Sequence, residues 1–467
     1  MNPECLSCFL GTLLLLFLLK YEYVNMIWSK YNYEYISDKY GRLLFNYLTG
    51  VLLDLNDDDL YRQISVIKKH TTDDAFSDYS DLLPFLLDNG IICENDDTNE
   101  DILFYNNLRL RTQQAYKTLV LVPTLDCNLQ CPYCYEGLNK PKISMNRNVI
   151  EHIKRHIDTH IKRQDTKLLA LLWYGGEPLL EFDTIRNISE HLKLREIPFF
   201  GDITTNGTLL TEKTLLEFES LNIKQVQITF DGSKESHDSK RFFNNNNGTF
   251  DLLMSRCRML NDYIKTHKCF TVHIRINVDI NNKDNSAVLF RELKEQFPLL
   301  NIYIAPLRQY HSCSNSVDCF SGDAEVLDYM ISLYKDYGID VADYKSVLRG
   351  MRPCMAESES SLIIGPLGEV YHCLNDVGDN NEIAGNITTG EFDFSKVAKY
   401  RNGRLTTHNE KCSGCDLRWM CGGGCPNSQY RNKYYGEQNE VCTPLRQKEL
   451  LNKYLDIRYE IQSNRKD

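Results

Sequence analysis

Three cysteines within eight residues constrain this chain more than any other feature. Cys127, Cys131 and Cys134 are spaced C-x3-C-x2-C, with the aromatic Tyr133 directly before the third cysteine. Three thiolates this close can hold one [4Fe–4S] cubane by three irons, because each cluster iron normally takes one cysteine. The fourth iron then has no local ligand and stays open to a small molecule. Clustered cysteines also form tetrahedral zinc sites when a His or a fourth Cys joins them, so zinc is the alternative on spacing alone.

Apolar segments alternate with helical patterns around and after this motif. Strands are predicted at 117–124, 168–174, 199–204, 224–230, 271–278 and 302–307. Helices are predicted at 146–163, 211–220, 250–266 and 284–296. Such alternation favours right-handed βαβ units and a parallel sheet. Six units are too few for a closed eight-stranded barrel, so the sequence predicts an α/β fold built on a partial (β/α)6 TIM-type barrel.

Unusual motifs follow four of the predicted strands. They are the three cysteines, Gly175-Gly176-Glu177-Pro178, Thr205-Asn206-Gly207 and Asp231-Gly232. Taken alone, Gly-Gly-x-Pro indicates only a turn. In TIM-type barrels, however, the chemistry gathers at the C-terminal ends of the strands. The sequence therefore predicts that these four motifs form one shared site.

The cysteine motif and its setting resemble the radical S-adenosylmethionine (radical SAM) superfamily. The resemblance implies that the amino and carboxylate groups of SAM bind the open iron. It also implies that Gly175, Gly176 and Glu177 bind the SAM ammonium group. The segments that resemble those lining the SAM ribose and carboxylate supply further cofactor-binding candidates: Thr205, Asn206, Thr229 and Asp231.

Two arginines extend this resemblance. Arg241, in His237-Asp238-x-x-Arg241, is the candidate to pair bidentately with the SAM carboxylate, and a solvated surface arginine is the alternative. The segment Arg275-Ile276-Asn277 also resembles a family segment, with an inward-facing structural role as the alternative.

Seven more cysteines crowd the C-terminal third of the chain: Cys354, Cys373, Cys412, Cys415, Cys421, Cys425 and Cys442. Without the first motif, the close pairs would favour a zinc ribbon. Their order and spacing, with Cys373 in a G-x4-C segment, resemble the SPASM domain, which carries two auxiliary [4Fe–4S] clusters.

The SPASM resemblance implies a ligand set for each auxiliary cluster. One cluster takes Cys412, Cys415, Cys421 and Cys442, and the other takes Cys354, Cys373 and Cys425. Some family members supply the second cluster with a further cysteine shortly after the first one, but residues 356–361 contain none. Its fourth iron is therefore either open to substrate or bound by Cys313 or Cys319.

The N-terminal part of the chain predicts a small α+β unit over residues 26–112. Strands are predicted at 31–37, 42–47 and 51–55, and helices at 60–69 and 79–87. The pattern resembles the winged peptide-recognition domains fused to radical SAM peptide maturases. The resemblance implies that a leader peptide binds as an extra strand at the sheet edge, and a structural cap on the barrel is the alternative.

The remaining domain limits follow from these motifs. The radical SAM core is predicted at 113–330, the auxiliary-cluster domain at 331–450 and a tail at 451–467. The apolar run at 9–19 is shorter than the roughly 20 residues that span a bilayer, and no basic residues precede it. We expect translation to start at Met26, with 1–25 as an untranslated leader and a weak membrane anchor as the alternative.

The net charge and the cysteine content limit the possible partners and the cellular compartment. The formal net charge is −11 and basic residues form no clear stripe, so nucleic acid is not expected as a partner. Iron–sulfur clusters and the free thiols among the 17 cysteines require a reducing compartment, which predicts a cytoplasmic protein.

Together the resemblances imply a radical SAM/SPASM peptide maturase. Such an enzyme cleaves SAM reductively to a 5′-deoxyadenosyl radical, which abstracts hydrogen from a ribosomally made precursor peptide and so installs a cross-link or other modification. The implied partners are that peptide and a low-potential electron donor such as flavodoxin or ferredoxin. The resemblance identifies no catalytic acid or base and no modified residue.

Two alternatives stay open. An anaerobic sulfatase-maturating enzyme oxidises Cys or Ser to formylglycine, but such enzymes typically carry an acidic residue directly after the G-x4-C cysteine. Here Leu374 and Asn375 follow Cys373, and Asp376 is displaced. A non-catalytic iron–sulfur or zinc scaffold is the other alternative, against which the intact glycine and Thr-Asn-Gly motifs argue.

Overall fold

The computed structural model describes residues 26–69, 81–134, 141–162, 166–308, 318–340, 353–403 and 409–464. The predicted leader and Cys313 lie outside these residues. Within the described ranges, no helix combines the length and the apolar character needed to cross a membrane.

The N-terminal unit contains the predicted hairpin. Its antiparallel strands are β1 (Ile27–Trp28), β2 (Asn32–Ser37), β3 (Gly41–Asn46), β4 (Leu52–Asp54) and β5 (Ile92–Cys93). Strand β3 pairs with both β2 and β4, and β1 pairs with β5. Gly41 has a φ of +72°, and a Cβ there would lie 2.1 Å from Oδ1 of Asn56, so the hairpin turn requires glycine.

Three helices complete this unit: α1 (Asp58–Lys69), α2 (Leu83–Asp88) and α3 (Asp96–Thr112). The first two correspond to the helices predicted at 60–69 and 79–87. The second begins later than predicted, because residues 81–82 form a turn, and residues 79 and 80 lie outside the described part. Sequence reasoning missed α3. Its start is fixed by the side chain of Asn95, which accepts a hydrogen bond from the N–H of Asp97.

The predicted parallel strands are present and lie side by side in one sheet. They are β6 (Tyr116–Leu121), β7 (Leu168–Trp173), β8 (Phe199–Thr204), β9 (Ile223–Phe230), β10 (Thr271–Val278) and β11 (Asn301–Pro306). Each pairs in parallel with the next along the chain. The predicted bounds differ from these by at most three residues, at the end of β6.

Helices connect these strands and cover one face of the sheet. They are α4 (Arg147–His156, continued by a π-helical segment Ile157–Ile161), α5 (Phe182–Leu194), α6 (Glu212–Ser220), α7 (Lys234–Lys240), α8 (Phe250–Thr266) and α9 (Lys283–Gln296). Sequence reasoning did not predict α5 or α7. Alternate strand residues such as Leu169, Leu171 and Trp173 pack with these helices in the largest core cluster.

The opposite face of β8–β11 is polar, unlike the packed interior of a closed barrel. Gln225 donates from Nε2 to Oδ2 of Asp202 (2.7 Å), and the Tyr303 hydroxyl donates to Oε1 of Gln227 (2.8 Å). This concave face leads towards the strand ends that carry the sequence motifs.

The cysteine-rich part continues the same sheet. After helix α10 (Asp323–Tyr337), strand β12 (Ser361–Ile364) pairs in parallel with β6. Antiparallel strands β13 (Glu369–Tyr371), β14 (Gly385–Asn386) and β15 (Glu391–Phe392) extend it, so ten strands of the described chain form one sheet. Short helices follow at α11 (Phe394–Gly403), α12 (Glu410–Ser413), α13 (Arg418–Cys421) and α14 (Pro426–Tyr435).

The C-terminal segment from 448 is a packed helix, α15 (Lys448–Asn464). Leu451 and Leu455 share a core with Tyr35 and Phe45 of the N-terminal sheet and with Trp419, which lies between two predicted cluster cysteines. The tail predicted from 451 therefore starts inside this helix, and the limit predicted at 330 falls inside α10. The domain limits themselves stay predictions.

We expect Leu455→Ala to destabilise the protein by about 2–5 kcal/mol, because truncating a fully buried leucine leaves a cavity. The matched control is Leu194→Ala, since Leu194 is 79% exposed and its truncation should change the stability by less than about 0.5 kcal/mol. Denaturant unfolding measures both. Limited proteolysis should show earlier cleavage within 26–69 in Leu455→Ala, and equal cleavage in both variants would contradict the packing described.

Candidate active site

The cysteine loop follows β6 and is held along its length by backbone contacts. The N–H of Gln130 donates to the carbonyl of Phe242 (3.0 Å), and Leu129 forms an antiparallel bridge with Phe243. The N–H of Leu129 also donates to Sγ of Cys127 (3.5 Å). Cys131 is buried, and Cys127 and Cys134 are partly exposed.

Gly175 and Gly176 allow a second loop to contact the start of this one. A Cβ on Gly176 would lie 2.2 Å from the carbonyl oxygen of Asp126, and one on Gly175 would lie 2.5 Å from that of Thr124. The N–H of Gly176 donates to Thr124 (3.1 Å) and that of Glu177 to Asp126 (2.9 Å). Because these two glycines have no Cβ, the backbone that follows β6 and leads to Cys127 can pass close to them. Their predicted contact with a cofactor stays a prediction.

Glu177 joins the second loop to the third. Its carboxylate is fully buried and accepts hydrogen bonds from the Thr205 hydroxyl (2.7 Å) and from the N–H groups of Asn206 (2.7 Å) and Leu179 (3.0 Å). Burial raises the pKa of this carboxyl, and the bonds from Asn206 and Thr205 oppose that shift. The carboxyl group therefore joins the two loops.

Asn206 carries the connection on to the cysteines. Its Nδ2 donates to Oδ1 of Asn128 (2.7 Å) and lies 3.7 Å from Sγ of Cys127. Asn128 in turn donates from Nδ2 to the hydroxyl of Thr208 (2.8 Å). The Thr-Asn-Gly segment thus contacts the first cysteine directly, as the prediction of one shared site requires.

Tyr133 anchors the other end of the cysteine loop. Its hydroxyl lies 2.7 Å from both carboxylate oxygens of the buried Asp231 and accepts from Nδ2 of Asn277 (3.2 Å). Nε of Arg241 also donates to this hydroxyl (3.1 Å) and pairs closely with the Asp231 carboxylate. Burial raises the pKa of Tyr133 well above its usual value, so the phenol keeps its proton.

His237 holds Arg241 in place from the opposite side. Burial lowers the pKa of His237 to about 3, so its neutral ring accepts from the N–H of Asp231 at Nδ1 (3.2 Å). Its Nε2 lies 2.9 Å from the Thr249 hydroxyl, which donates to the carbonyl of Arg241 (2.9 Å). The sequence alternative of a solvated Arg241 is wrong, because its side chain is only 12% exposed and bound to Asp231.

The second cysteine field contains one compact set. Cys412, Cys415, Cys421 and Cys442 line one surface pocket together with Arg446, whose Nη1 donates to Sγ of Cys442 (3.5 Å). Burial and the neighbouring cysteines raise the pKa of Cys412 to about 11. Thiols that hinder one another's ionisation in this way need a nearby positive charge to act as thiolates, and bound iron would supply it.

The other set contains Cys354, Cys373 and Cys425, all partly exposed. Burial, Asp376 and the nearby Cys425 and Cys354 raise the pKa of Cys373. Cys354 and Cys373 also pack against the stacked rings of Tyr400 and Tyr430.

Asp376 is engaged beside this set. It pairs closely with the Tyr400 hydroxyl and accepts from Nδ2 of Asn427 (2.9 Å). Sequence reasoning missed Tyr400 and Asn427, since both lie far from Asp376 in sequence and belong to no motif.

Zinc and a cubane make different demands on the cysteines. A tetrahedral zinc with Zn–S bonds of about 2.3 Å would bring its sulfurs to about 3.8 Å from one another. A cubane spreads its thiolates over separate irons, and four cysteines around one pocket fit such a cluster. Across the described ranges, no group of three His, Cys, Asp or Glu side chains is arranged to hold a single metal ion.

Comparisons with known proteins point to one superfamily. Residues 121–283 match the radical SAM superfamily. The chain is 24% identical over 464 aligned residues to the radical SAM cyclopropyl synthase TigE of Paramaledivibacter caminithermalis, covering 86% of this chain and 89% of the relative. It is 27% identical over 357 residues to a cysteine-type anaerobic sulfatase-maturating enzyme of Clostridium novyi, covering 70% and 92%.

A solved structure gives the same fold. Native anSMEcpe with bound AdoMet matches with a TM-score of 0.55 at 17% identity, covering 74% of this chain and 98% of that one. The match confirms the TIM-like α/β fold with a mostly parallel central sheet.

Replacing Glu177 by Gln should weaken the link between the second and third loops. The amide offers one acceptor in place of two and sets an NH2 against a buried N–H, so we expect a loss of about 1–3 kcal/mol of stability. The exposed Glu212→Gln is the matched control. Denaturant unfolding and iron content after reconstitution measure the effect, and wild-type values for both would refute the role given to Glu177.

Proposed function

We propose that this radical SAM superfamily enzyme is a SPASM-type peptide maturase, which uses a 5′-deoxyadenosyl radical to modify a ribosomally made precursor peptide. The observation that carries the proposal is the convergence of three other sequence motifs on the cysteine loop. Glu177 joins the Gly-Gly and Thr-Asn-Gly loops, Asn206 reaches Cys127, and Asp231 binds Tyr133. An electron carrier needs no such second, third and fourth loop around its cluster.

Each group of residues at that site would have its own role. Cys127, Cys131 and Cys134 would hold a [4Fe–4S] cluster, which when bound and reduced supplies the electron that cleaves SAM. Asn206 sets the position of the Cys127 sulfur, and Tyr133 fixes the loop beside Cys134 through Asp231. The cofactor-binding roles of Gly175, Gly176, Glu177, Thr205, Asn206, Thr229, Asp231 and Arg241 belong to this proposal.

The second cysteine field would hold two auxiliary clusters. Cys412, Cys415, Cys421 and Cys442 supply four thiols around one pocket, which matches the four irons of one cubane. Cys354, Cys373 and Cys425 supply three thiols to the second set. Its fourth iron would then be open to a substrate or bound by Cys313 or Cys319.

A peptide substrate is supported by the relatives and by the N-terminal unit. One similar solved structure is native anSMEcpe with bound AdoMet and Cp18Cys peptide. In this chain, β2 and β4 are the edge strands of the small N-terminal sheet among the described strands, and an extended leader could add to such an edge. The proposal includes a low-potential electron donor such as flavodoxin or ferredoxin and a cytoplasmic location.

Sulfatase maturation is the second candidate, favoured by the 92% coverage of the Clostridium novyi enzyme. The site beside Cys373 favours the first. Asp376, the displaced acid, is 1% exposed and already bound by Tyr400 and Asn427, so its carboxylate is not free to act on a substrate. Leu374 and Asn375 carry no acid at the place typical of those enzymes.

The test is formation of 5′-deoxyadenosine from SAM by anaerobically reconstituted, dithionite-reduced protein. The native protein should form it, and Cys131→Ala should not, because one cluster ligand is lost. Cys269→Ala is the matched control, since Cys269 is exposed and outside every predicted ligand set. Native protein should also bind about 12 irons, four for each of three clusters.

Two results would count against the proposal. If native protein and Cys131→Ala formed equal amounts of 5′-deoxyadenosine, the first cysteine set would not be required for SAM cleavage. If a fully active protein bound only about four irons, it would hold one cluster, and the proposal of two auxiliary clusters would be wrong.

A further inference from the structure

The loop from Cys415 to Cys421 carries two members of the outer cysteine set, which consists of Cys412, Cys415, Cys421 and Cys442. The loop ends in α13, a helix of only four residues. So short a helix has little stability of its own, because few hydrogen bonds offset the ordering of its backbone. Contacts from other parts of the chain must therefore hold this loop in shape.

Tyr31 of the N-terminal unit makes the central contact with the loop. Its hydroxyl accepts a hydrogen bond from Nε1 of Trp419 (2.9 Å) and donates to the carboxylate of Glu100 on α3. Tyr31 is 3% exposed and Trp419 is 5% exposed. If the hydroxyl were absent, the buried indole N–H would lose its acceptor, so this hydrogen bond fixes where the loop lies.

Glu100 adds a charged contact to the same loop. Its Oε2 pairs with Arg418, and its Oε1 lies 2.8 Å from Nζ of Lys30. Nη1 of Arg418 also donates to the carbonyl of Ser413 (2.8 Å), which lies between the first two cysteines of the outer set. The guanidinium therefore connects the N-terminal unit to both stretches of chain that carry the first three cysteines.

Apolar packing surrounds these polar contacts. Leu417 and Trp419 share a buried core with Phe45 of β3, and Cys415 packs against that core. Contacts behind a metal ligand orient it, and losing one typically weakens metal binding about 10–100-fold. The N-terminal unit supplies such contacts to a loop that has few of its own.

We propose that Tyr31 and Glu100 are positioning residues of the outer auxiliary cluster, because they hold the Cys415–Cys421 loop in the shape that binds iron. The N-terminal unit then has a second role beside its proposed binding of a leader peptide: it is part of the cluster site. The inference rests on the proposed function, since it assumes that the outer set holds a cluster.

The experiment follows the release of iron from anaerobically reconstituted full-length protein to an excess of a ferrous chelator. Cys442→Ala identifies the phase of the outer cluster, because this variant lacks one of its ligands and should lack that phase. Tyr31→Phe keeps the ring and removes the hydroxyl, so it should accelerate that phase about tenfold. The remaining iron, about eight atoms in two clusters, should leave at the native rate.

A double-mutant cycle tests whether the contact across the two parts of the chain is direct. Glu100→Gln and Arg418→Gln should each accelerate the same phase. Together they should accelerate it by less than the product of the two single effects, because both remove one ion pair. A product of two independent effects would contradict the role given to Glu100.

Tyr35→Phe is the matched control. Tyr35 is buried in the same hairpin, and its hydroxyl donates to Oδ1 of Asp456 on α15 (3.0 Å) and not to the cysteine loop. It should lower the thermal stability about as much as Tyr31→Phe, since each variant removes one buried hydrogen bond, but it should leave iron release unchanged. A general loss of stability would act on both variants alike.

Three results would overturn the inference. Tyr31→Phe could release its iron at the native rate, it could accelerate all three clusters equally, or Tyr35→Phe could accelerate the outer phase as much as Tyr31→Phe does. A native protein that takes up iron but shows no phase that Cys442→Ala removes would instead contradict the outer cluster of the proposed function.

Discussion

The buried carboxylate of Glu177 is the interaction on which the rest of the site depends. It accepts from Leu179 in its own loop and from Thr205 and Asn206 in the next one. The backbone of the same loop is bonded to the strand exit that leads to Cys127, where Gly175 and Gly176 leave room for it. This buried side chain thus ties its own loop to the next one, and Asn206 extends the connection to the first cysteine sulfur.

A second core links the ends of the chain to the outer cysteine set. Between Cys415 and Cys421, Arg418 pairs with Glu100, and Nε1 of Trp419 donates to the Tyr31 hydroxyl (2.9 Å). Helix α15 completes that core through Leu451 and Leu455. The N-terminal unit therefore packs on the segment that carries the outer cysteine set and on the C-terminal helix. The proposed leader site at the edge of its sheet would share this core with the outer cysteines.

Much of the core could be predicted from the sequence, because strands β6 to β11 carry apolar periodicity and end in recognisable motifs. Helices α3, α5 and α7 were missed. For α3 the reason is that it buries polar side chains such as Asn107 and Arg111 and gives no clear apolar stripe. The partners of the motif residues were beyond sequence reasoning for a different reason. Asp231 binds Tyr133 across 98 positions and Tyr400 binds Asp376 across 24, and no local pattern marks such pairs. Arg241 was singled out as a candidate cofactor-binding residue, which stays a prediction, and only the folded structure reveals that its side chain pairs with Asp231.

The central claim is that Cys127, Cys131 and Cys134 hold a cluster with one iron open to SAM. Electron paramagnetic resonance of the reduced protein, recorded with and without SAM, tests it most directly. The account predicts a [4Fe–4S] signal that changes on addition of SAM and is lost in Cys131→Ala. The signals of the two auxiliary clusters should persist in that variant. Stoichiometric zinc in place of iron, or a cluster signal that SAM leaves unchanged, would contradict it.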